Sequence, residues 1–330
     1  MTSSFRALRL SKSDGAPSCA VETLTSSDLM PGDVEVRVEY STLNYKDGLA
    51  ITGRAPIVRT WPLTPGIDLA GVVQASESPD FKPGDRVVLN GWGVGEAHHG
   101  GLAQRARVKS EWLVRIPDAL STFDAMAIGT AGYTAMLCVM RLQELGVSAS
   151  DGEILVTGAV GGVGSVAITL LSRLGYKVVA STGRQQEAGY LQALGAARVV
   201  NRNELNGDGR PLAKELWAGA IDSVGSRTLA NLISHIRYGG VVVSCGMAQG
   251  IDLPATVMPF ILRGVTLAGV DSVMCPTDRR KAAWARLADE IDLGRLALAN
   301  QEASLEEAPQ LAADLLAGKI RGRVVIDVNN

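Results

Sequence analysis

Residues Ile154-Leu155-Val156-Thr157-Gly158-Ala159-Val160-Gly161-Gly162-Val163-Gly164-Ser165 run from an unbroken aliphatic strand through a glycine-rich turn into the start of a helix. Consecutive branched apolar residues mark a strand buried on both faces. The turn departs from Gly-x-Gly-x-x-Gly in its first position, which Ala159 occupies; Gly161 lets the backbone approach a pyrophosphate, and Gly164 lets the helix pack closely on the strand. The amides of Gly162, Val163, Gly164 and Ser165, at the helix start, would bind the anion. A tight turn without a ligand is the competing reading, and the strand-turn-helix context weighs against it.

The following strand, Lys177-Val178-Val179-Ala180-Ser181, ends where an NAD site would place an acid on the ribose 2′-hydroxyl. No acid stands there. Ser181-Thr182-Gly183-Arg184 offers two hydroxyls and a guanidinium, which suits a 2′-phosphate and favours NADPH over NADH. Arg184 has a second reading as the exposed first residue of the next helix. Arg202 either flanks the adenine or 2′-phosphate or is solvated surface.

From Gly152 onward strand and helix alternate: Ile154–Thr157, Gly162–Leu174, Lys177–Ser181, Arg184–Leu194, Arg198–Asn201, a helix over Pro211–Trp217, then Ala220–Val224, Arg227–His235 and Val241–Cys245. This pattern predicts an α/β domain with a doubly wound parallel sheet covered on both faces. Residues 1 to about 120 differ in texture. Alternating runs such as Val34-Glu35-Val36-Arg37-Val38, punctuated by Pro31-Gly32, Pro65-Gly66 and Pro83-Gly84, are β-rich. Thr122–Leu145 reads as helix interrupted around Gly129-Thr130-Ala131-Gly132, so the boundary is expected near 122. Leu305–Leu316 reads as a helix and Arg323–Asp327 as a final strand whose sheet periodicity does not assign. The division expected is 1–122 with 300–330 as one domain and 123–299 as the other.

A chain of 330 residues suits two such domains. The apolar fraction of 46% and charged fraction of 20% describe a globular protein, and 32 basic against 34 acidic residues leave no bulk field for nucleic acid or a membrane surface. Cys19, Cys138, Cys245 and Cys275 form no Cys-x-x-Cys pair, which argues against a disulfide framework or zinc ribbon and for a reducing compartment. Met1–Gly15 lacks the apolar core of about 7–15 residues that a secretory signal needs, so a cytoplasmic location is expected. The longest apolar stretch, Ile154–Leu171, is broken by glycines and reads as strand, turn and helix rather than a membrane span.

A β-rich first domain followed by this nucleotide-binding unit resembles the medium-chain dehydrogenase/reductase superfamily over nearly the whole chain. The resemblance implies a GroES-like catalytic domain joined to a Rossmann domain. In the zinc alcohol dehydrogenases of that superfamily a cysteine lies in the segment matching Leu43-Asn44-Tyr45-Lys46-Asp47, and Gly-His-Glu matches Gly66-Ile67-Asp68. Here Ile67 replaces the histidine and no cysteine occurs between Cys19 and Cys138, so no metal site is expected. His98 and His99 have no third ligand in view and read as loop residues. Without a Lewis acid, hydride addition to an already polarised double bond replaces alcohol oxidation.

Asn44-Tyr45-Lys46-Asp47-Gly48-Leu49-Ala50, Thr52-Gly53-Arg54, Pro65-Gly66-Ile67-Asp68-Leu69-Ala70-Gly71, Gly129-Thr130-Ala131-Gly132-Tyr133-Thr134-Ala135, Ser181-Thr182-Gly183-Arg184 and Gly318-Lys319-Ile320-Arg321-Gly322-Arg323-Val324-Val325 are similar to the zinc-free quinone oxidoreductase branch and, within it, to the acrylyl-CoA reductase subfamily. That resemblance implies NADPH-dependent reduction of the carbon-carbon double bond of acrylyl-CoA to propanoyl-CoA, and a homodimer formed through strands near Val265–Ser272. A quinone or α,β-unsaturated carbonyl reductase and a non-enzymatic NADPH-binding protein are the alternatives.

By the same resemblance Thr130, Gly246, Met247 and Ser272 line the nicotinamide end. Tyr45 is either a hydroxyl beside the nicotinamide, donating or orienting a water, or a packed aromatic. Superfamily enoyl reductases that use a tyrosine carry it where this chain reads Gly53-Arg54-Ala55-Pro56. Arg323, with Lys46 and Arg54, is the candidate for the CoA phosphates or the thioester, against surface ion pairing. Asp47 and Asp68 read either as acids or as carboxylates fixing turns. Cys138 and Cys245 read as buried apolar residues rather than nucleophiles.

Overall fold

A computed structural model of the chain describes residues 4–13 and 16–330. Two compact units emerge: Met1–Thr130 with Ser272–Ala288 and Asn300–Asn330, and Ala131–Asp271 with Asp289–Ala299.

In the second unit six parallel strands lie in the spatial order Arg198–Asn201, Lys177–Thr182, Glu153–Val156, Trp217–Asp222, Ile236–Ser244, Thr266–Gly269. The direction of winding reverses between Glu153–Val156 and Trp217–Asp222, so ligands are expected at the carboxyl ends of those two strands. Ile154, Leu155 and Val156 are sealed on both faces, as their unalternated sequence requires. The helix Gly162–Arg173 runs back across the sheet with an almost wholly buried apolar set from Val166 to Leu171.

The first unit is built on a seven-stranded, mostly antiparallel sheet, in which Val34–Leu43 pairs with Asp68–Ser76, Arg105–Val108 and Arg323–Asp327. Val34, Val36 and Val38 point into the core while the residues between them do not. The final strand therefore belongs to this sheet, antiparallel to Val34–Leu43 and parallel to Asn300–Ser304. Its pairing spans nearly the length of the chain, a contact that local periodicity does not encode.

Several expected boundaries move. The division lies after Thr130 rather than at 122, because Thr122–Glu144 is two helical pieces joined at Gly129 (φ 50°). That segment is long and apolar enough to cross a membrane, yet 83% of its apolar window is buried inside the protein. Ser272–Ala288, expected with the nucleotide-binding unit, belongs to the first unit. The helix Thr277–Glu290 carries the reason: Arg280 Nη1 donates to Asn90 O at 2.7 Å and Trp284 Nε1 to Asn90 Oδ1 at 3.3 Å. The helix expected over Pro211–Trp217 does not form. Ala213 N and Leu216 N donate instead to Ser234 O and His235 O, holding the segment extended until Trp217 opens a strand. The helix expected over Arg184–Leu194 is a 3₁₀ turn, Gln185–Glu187, followed by Ala188–Ala193, and the one expected from Leu305 starts at Ala308.

Candidate active site

At the start of the helix Gly162–Arg173, the bond from Ser165 N to Gly161 O at 2.9 Å is the first to close onto the N-cap. The three amides before it, Gly162, Val163 and Gly164, have no carbonyl one turn back within the helix and form the anion cradle. Gly161 is exposed and Gly162 and Val163 are half-buried, whereas Gly164 and Ser165 are enclosed. A Cβ on Gly164 would lie 2.4 Å from Gly158 O and 2.6 Å from Ala159 Cα, so glycine is what lets helix and turn meet. The Ser165 hydroxyl donates to Ala159 O at 3.3 Å and accepts from the Tyr190 hydroxyl at 2.9 Å. That hydroxyl holds the turn, and the Ser165 amide donates to Gly161 O.

Ala159 N donates to Ser181 O at 3.2 Å, which joins the cradle to the end of Lys177–Thr182. There Thr182 Oγ1 accepts from Arg184 N at 3.0 Å, and a Cβ on Gly183 would sit 2.5 Å from Arg202 Nε. Ser181 and Thr182 are buried, Arg184 is half-buried and Arg202 is exposed. The structure thus gathers Thr182, Gly183, Arg184 and Arg202 at one strand end without a carboxylate in the ribose position. Two guanidinium-bearing residues beside an open glycine fit a phosphorylated ribose, and the bare amides at 162–164 fit a pyrophosphate.

At the reversal point Thr157 Oγ1 donates to Asp222 Oδ1 at 2.7 Å, and Gly225 N donates to Asp222 Oδ2 at 2.9 Å. Burial raises the Asp222 carboxyl above its ordinary range against these hydrogen bonds. Gly246 packs so tightly that its Cβ would meet Ser223 O at 2.4 Å, and Met247 beyond it is exposed. Cys245 N donates to Asp222 O at 2.8 Å.

The first unit holds a second constellation, and it is closed. Asp68 and Asn90 are opposite one another on paired strands. Asp68 accepts from Asn90 Nδ2 (2.7 Å), Asn44 Nδ2 (2.8 Å), Thr130 N (2.8 Å) and the Thr130 hydroxyl. Asp47 accepts from Asn44 N at 2.8 Å and Ile67 N at 2.9 Å, tying the helix Tyr45–Thr52 to the Gly66–Asp68 turn. Both carboxylates fix backbone, the structural alternative of the two readings open for them.

Arg323, expected at the substrate, is enclosed with them. Its Nη1 donates to Asn44 Oδ1 at 3.0 Å, Nη2 to Thr42 Oγ1 at 2.8 Å and Nε to Ala127 O at 3.3 Å. Burial lowers its pKa, and the charges of Asp68 and Asp47 oppose that shift. With 2% of its side chain exposed it reaches neither CoA phosphates nor a thioester. Lys46 is drawn to Glu96 at 2.7 Å, leaving Arg54, exposed, as the freer of those cations. Tyr45 opens its helix half-exposed. Thr130, with amide and hydroxyl both committed to Asp68, and Ser272, whose carbonyl accepts from Arg280 Nη2 at 3.2 Å, lie in the first unit. Gly246 and Met247 lie in the second.

His98 stacks edge-on against Trp112, and its ring nitrogens lie 3.1 Å from His99 O and Pro31 O. His99 sits between Arg9 Nη1 (3.1 Å) and Thr64 N (3.4 Å), and burial lowers it to about 4. Among the described residues no three His, Cys, Asp or Glu side chains converge to hold a metal. Asn90, Thr42 and Arg280 went unread in the sequence; the available signal was an asparagine closing the apolar run Val87-Val88-Leu89.

Residues 30–118 match the alcohol dehydrogenase GroES-like domain and residues 162–289 the zinc-binding dehydrogenase model. The chain is 50% identical to the acrylyl-CoA reductase AcuI of Ruegeria pomeroyi over 98% of this chain and 99% of that one. The chain belongs to the medium-chain dehydrogenase/reductase superfamily, in the branch of the acrylyl-CoA reductases. Another member of this quinone oxidoreductase-like family, the putative quinone oxidoreductase YhfP of Bacillus subtilis, is 45% identical over 99% of each chain. The Escherichia coli K-12 protein YhdH, solved with bound NADPH, superposes with a TM-score of 0.96 at 54% identity, covering 98% of this chain and 100% of that one. The superfamily's zinc does not fit this member: Ile67 stands at the histidine position, and neighbouring Asp68 spends its oxygens on Asn44, Asn90, Thr130 and Arg323.

Proposed function

We propose that the protein is a zinc-independent reductase that uses NADPH to reduce the carbon-carbon double bond of acrylyl-CoA to the single bond of propanoyl-CoA. The full-length likeness to an acrylyl-CoA reductase carries this reading, and the acid-free strand end at Thr182–Arg184 supports the phosphorylated coenzyme. Bound reduced nicotinamide supplies a hydride, which an enoyl thioester accepts at its β-carbon because its carbonyl takes up the charge.

The chain's own groups then have distinct tasks. Amides 162–164 hold the pyrophosphate; Arg184 and Arg202 neutralise the 2′-phosphate; Gly246 and Met247 border the nicotinamide. Tyr45 donates to the reacting region or orients a water there. Arg54 meets a CoA phosphate in solvent, and Arg323 acts at one remove by fixing Asn44 and Thr42.

A homodimer fits the open sheet edge Thr266–Gly269 and the nearby exposed Ile251, Val257, Ile261 and Leu262, an apolar surface of the kind that partners cover. A cytoplasmic enzyme with neither nucleic acid nor membrane as partner accords with the near-neutral charge. The test is product analysis: incubation with acrylyl-CoA and NADPH should yield propanoyl-CoA by mass spectrometry. NADPH binding without any reduced product would leave the non-enzymatic reading standing.

A further inference from the structure

The pyrophosphate turn is held from two sides through Ala159. Its N–H donates to Ser181 O at 3.2 Å, on the strand that leads to the Thr182–Arg184 corner. Its carbonyl accepts from the Ser165 hydroxyl at 3.3 Å, on the helix whose first amides form the cradle. That hydroxyl in turn accepts from the Tyr190 hydroxyl at 2.9 Å. Tyr190 lies in the helix Ala188–Ala193, which the 3₁₀ turn Gln185–Glu187 joins to Arg184. A closed path therefore runs from the 2′-phosphate corner through Tyr190, Ser165 and Ala159 and back to that corner at Ser181, entirely within the second unit.

A serine in a helix has a second place for its hydrogen. It can turn onto the carbonyl four residues back, here Gly161 O, and such back-bonding bends the turn that it spans. Gly161 O already takes Ser165 N at 2.9 Å, and the turn so closed is the one that carries the cradle amides. A serine hydroxyl has only one hydrogen to give. Because the Tyr190 hydroxyl donates to Ser165 Oγ, that hydrogen points away from Tyr190 and meets Ala159 O. A phenylalanine would fill the ring's place in the helix equally; it is the tyrosine hydroxyl that reaches the cradle.

We propose that Tyr190 is a positioning residue for the coenzyme: by fixing the Ser165 hydroxyl on Ala159 O, it keeps amides 162–164 aimed at the pyrophosphate. NADPH and NADH both carry that group and differ only in the 2′-phosphate. Tyr190 therefore sets the affinity for both and the preference for neither. Arg184, at the other end of the same segment, does the reverse. A donor set held in place before the anion arrives binds it more tightly than one that must be ordered on binding. The inference rests on the coenzyme seat alone and holds whichever acceptor takes the hydride.

The test is fluorescence titration of the full chain with NADPH and with NADH, in wild type, Tyr190→Phe, Ser165→Ala and the double variant. Tyr190→Phe should raise both dissociation constants by about 3–10-fold, as for the loss of one hydrogen bond, with their ratio unchanged and the melting temperature of the coenzyme-free protein retained. With acrylyl-CoA as acceptor, the KM for NADPH should rise by the same factor while kcat holds. Ser165→Ala should weaken both coenzymes likewise, and Tyr190→Phe added to it should cost nothing more, because the hydroxyl that Tyr190 steers is gone. Wild-type dissociation constants in Tyr190→Phe overturn the proposal; so does a loss confined to NADPH, and so does an undiminished further loss in the Ser165→Ala background. Wild-type protein that binds neither coenzyme overturns the coenzyme seat itself, and the proposal falls with it.

Discussion

Arg323 Nη2 lies 3.8 Å from Asp68 Oδ2, with side-chain exposures of 2% and 0%. The pair closes a buried polar network in which Asp68 also takes up Asn44, Asn90 and Thr130, and Arg323 also binds Thr42 and Ala127 O. Gly129 completes it by absence: a Cβ there would fall 2.0 Å from Arg323 Nη2. Removing one member leaves the other charged and enclosed. Arg323→Met should therefore destabilise the fold by about 3–5 kcal/mol, read by denaturant unfolding. Wild-type stability with a raised KM for acrylyl-CoA would return Arg323 to the substrate.

Asp47 gives the fold a pH dependence. Burial pushes its carboxyl from 3.8 up to about 7; the Asn44 and Ile67 N–H groups oppose that shift and the charge of Asp68 adds to it. The folded pKa lies above the unfolded one, so the folded state holds the extra proton between about 4 and 7. This contribution to stability is present at the acid end of that window, declines as pH rises through it and is flat above. Asp47→Asn cannot titrate. Its deficit in unfolding free energy relative to wild type should shrink by about 1–3 kcal/mol between about pH 5 and about pH 8; a deficit that grows with pH would contradict the shift.

Coenzyme preference should reside in Arg184, whose amide is already held by Thr182 Oγ1. Arg184→Ala should weaken NADPH binding by about 1.5–3 kcal/mol, as for a hydrogen bond to a charged group, and leave NADH nearly unaffected. Equal losses for both in a fluorescence titration would remove the 2′-phosphate from this strand end.

Two glycines make a matched pair. Gly164→Ala drives a methyl against Gly158 O and Ala159 Cα, so NADPH affinity should fall at least about tenfold as the cradle opens. Gly189, in the helix Ala188–Ala193, has nothing within 4 Å of its would-be Cβ. Gly189→Ala should stabilise the protein by about 0.5–1 kcal/mol with coenzyme affinity unchanged. Thermal melts and coenzyme titrations on both variants check the contrast.

What the sequence revealed follows the range of the interactions. Ile154–Ser165 and Arg198–Asn201 were legible because burial on both faces and turn chemistry are local. The enclosure of Arg323 was not, since its partners Asn44 and Thr42 lie 279 and 281 residues away and an arginine reads as surface by default. Residues 272–288 were grouped with the nucleotide-binding unit for the same reason: Arg280 reaches Asn90 across 190 positions. The left-handed backbone of Trp92 (φ 57°) gave no signal at all, because it contradicts the local preference of a tryptophan.

Substrate choice and metal independence are read together in the steady-state oxidation of NADPH by enzyme stripped with a chelator, with acrylyl-CoA and a small quinone as rival acceptors. A zinc-free acrylyl-CoA reductase should show a higher kcat/KM for acrylyl-CoA, unchanged by chelation or by added zinc. Activity that appears only when zinc is restored, or a higher kcat/KM for the quinone, would contradict it.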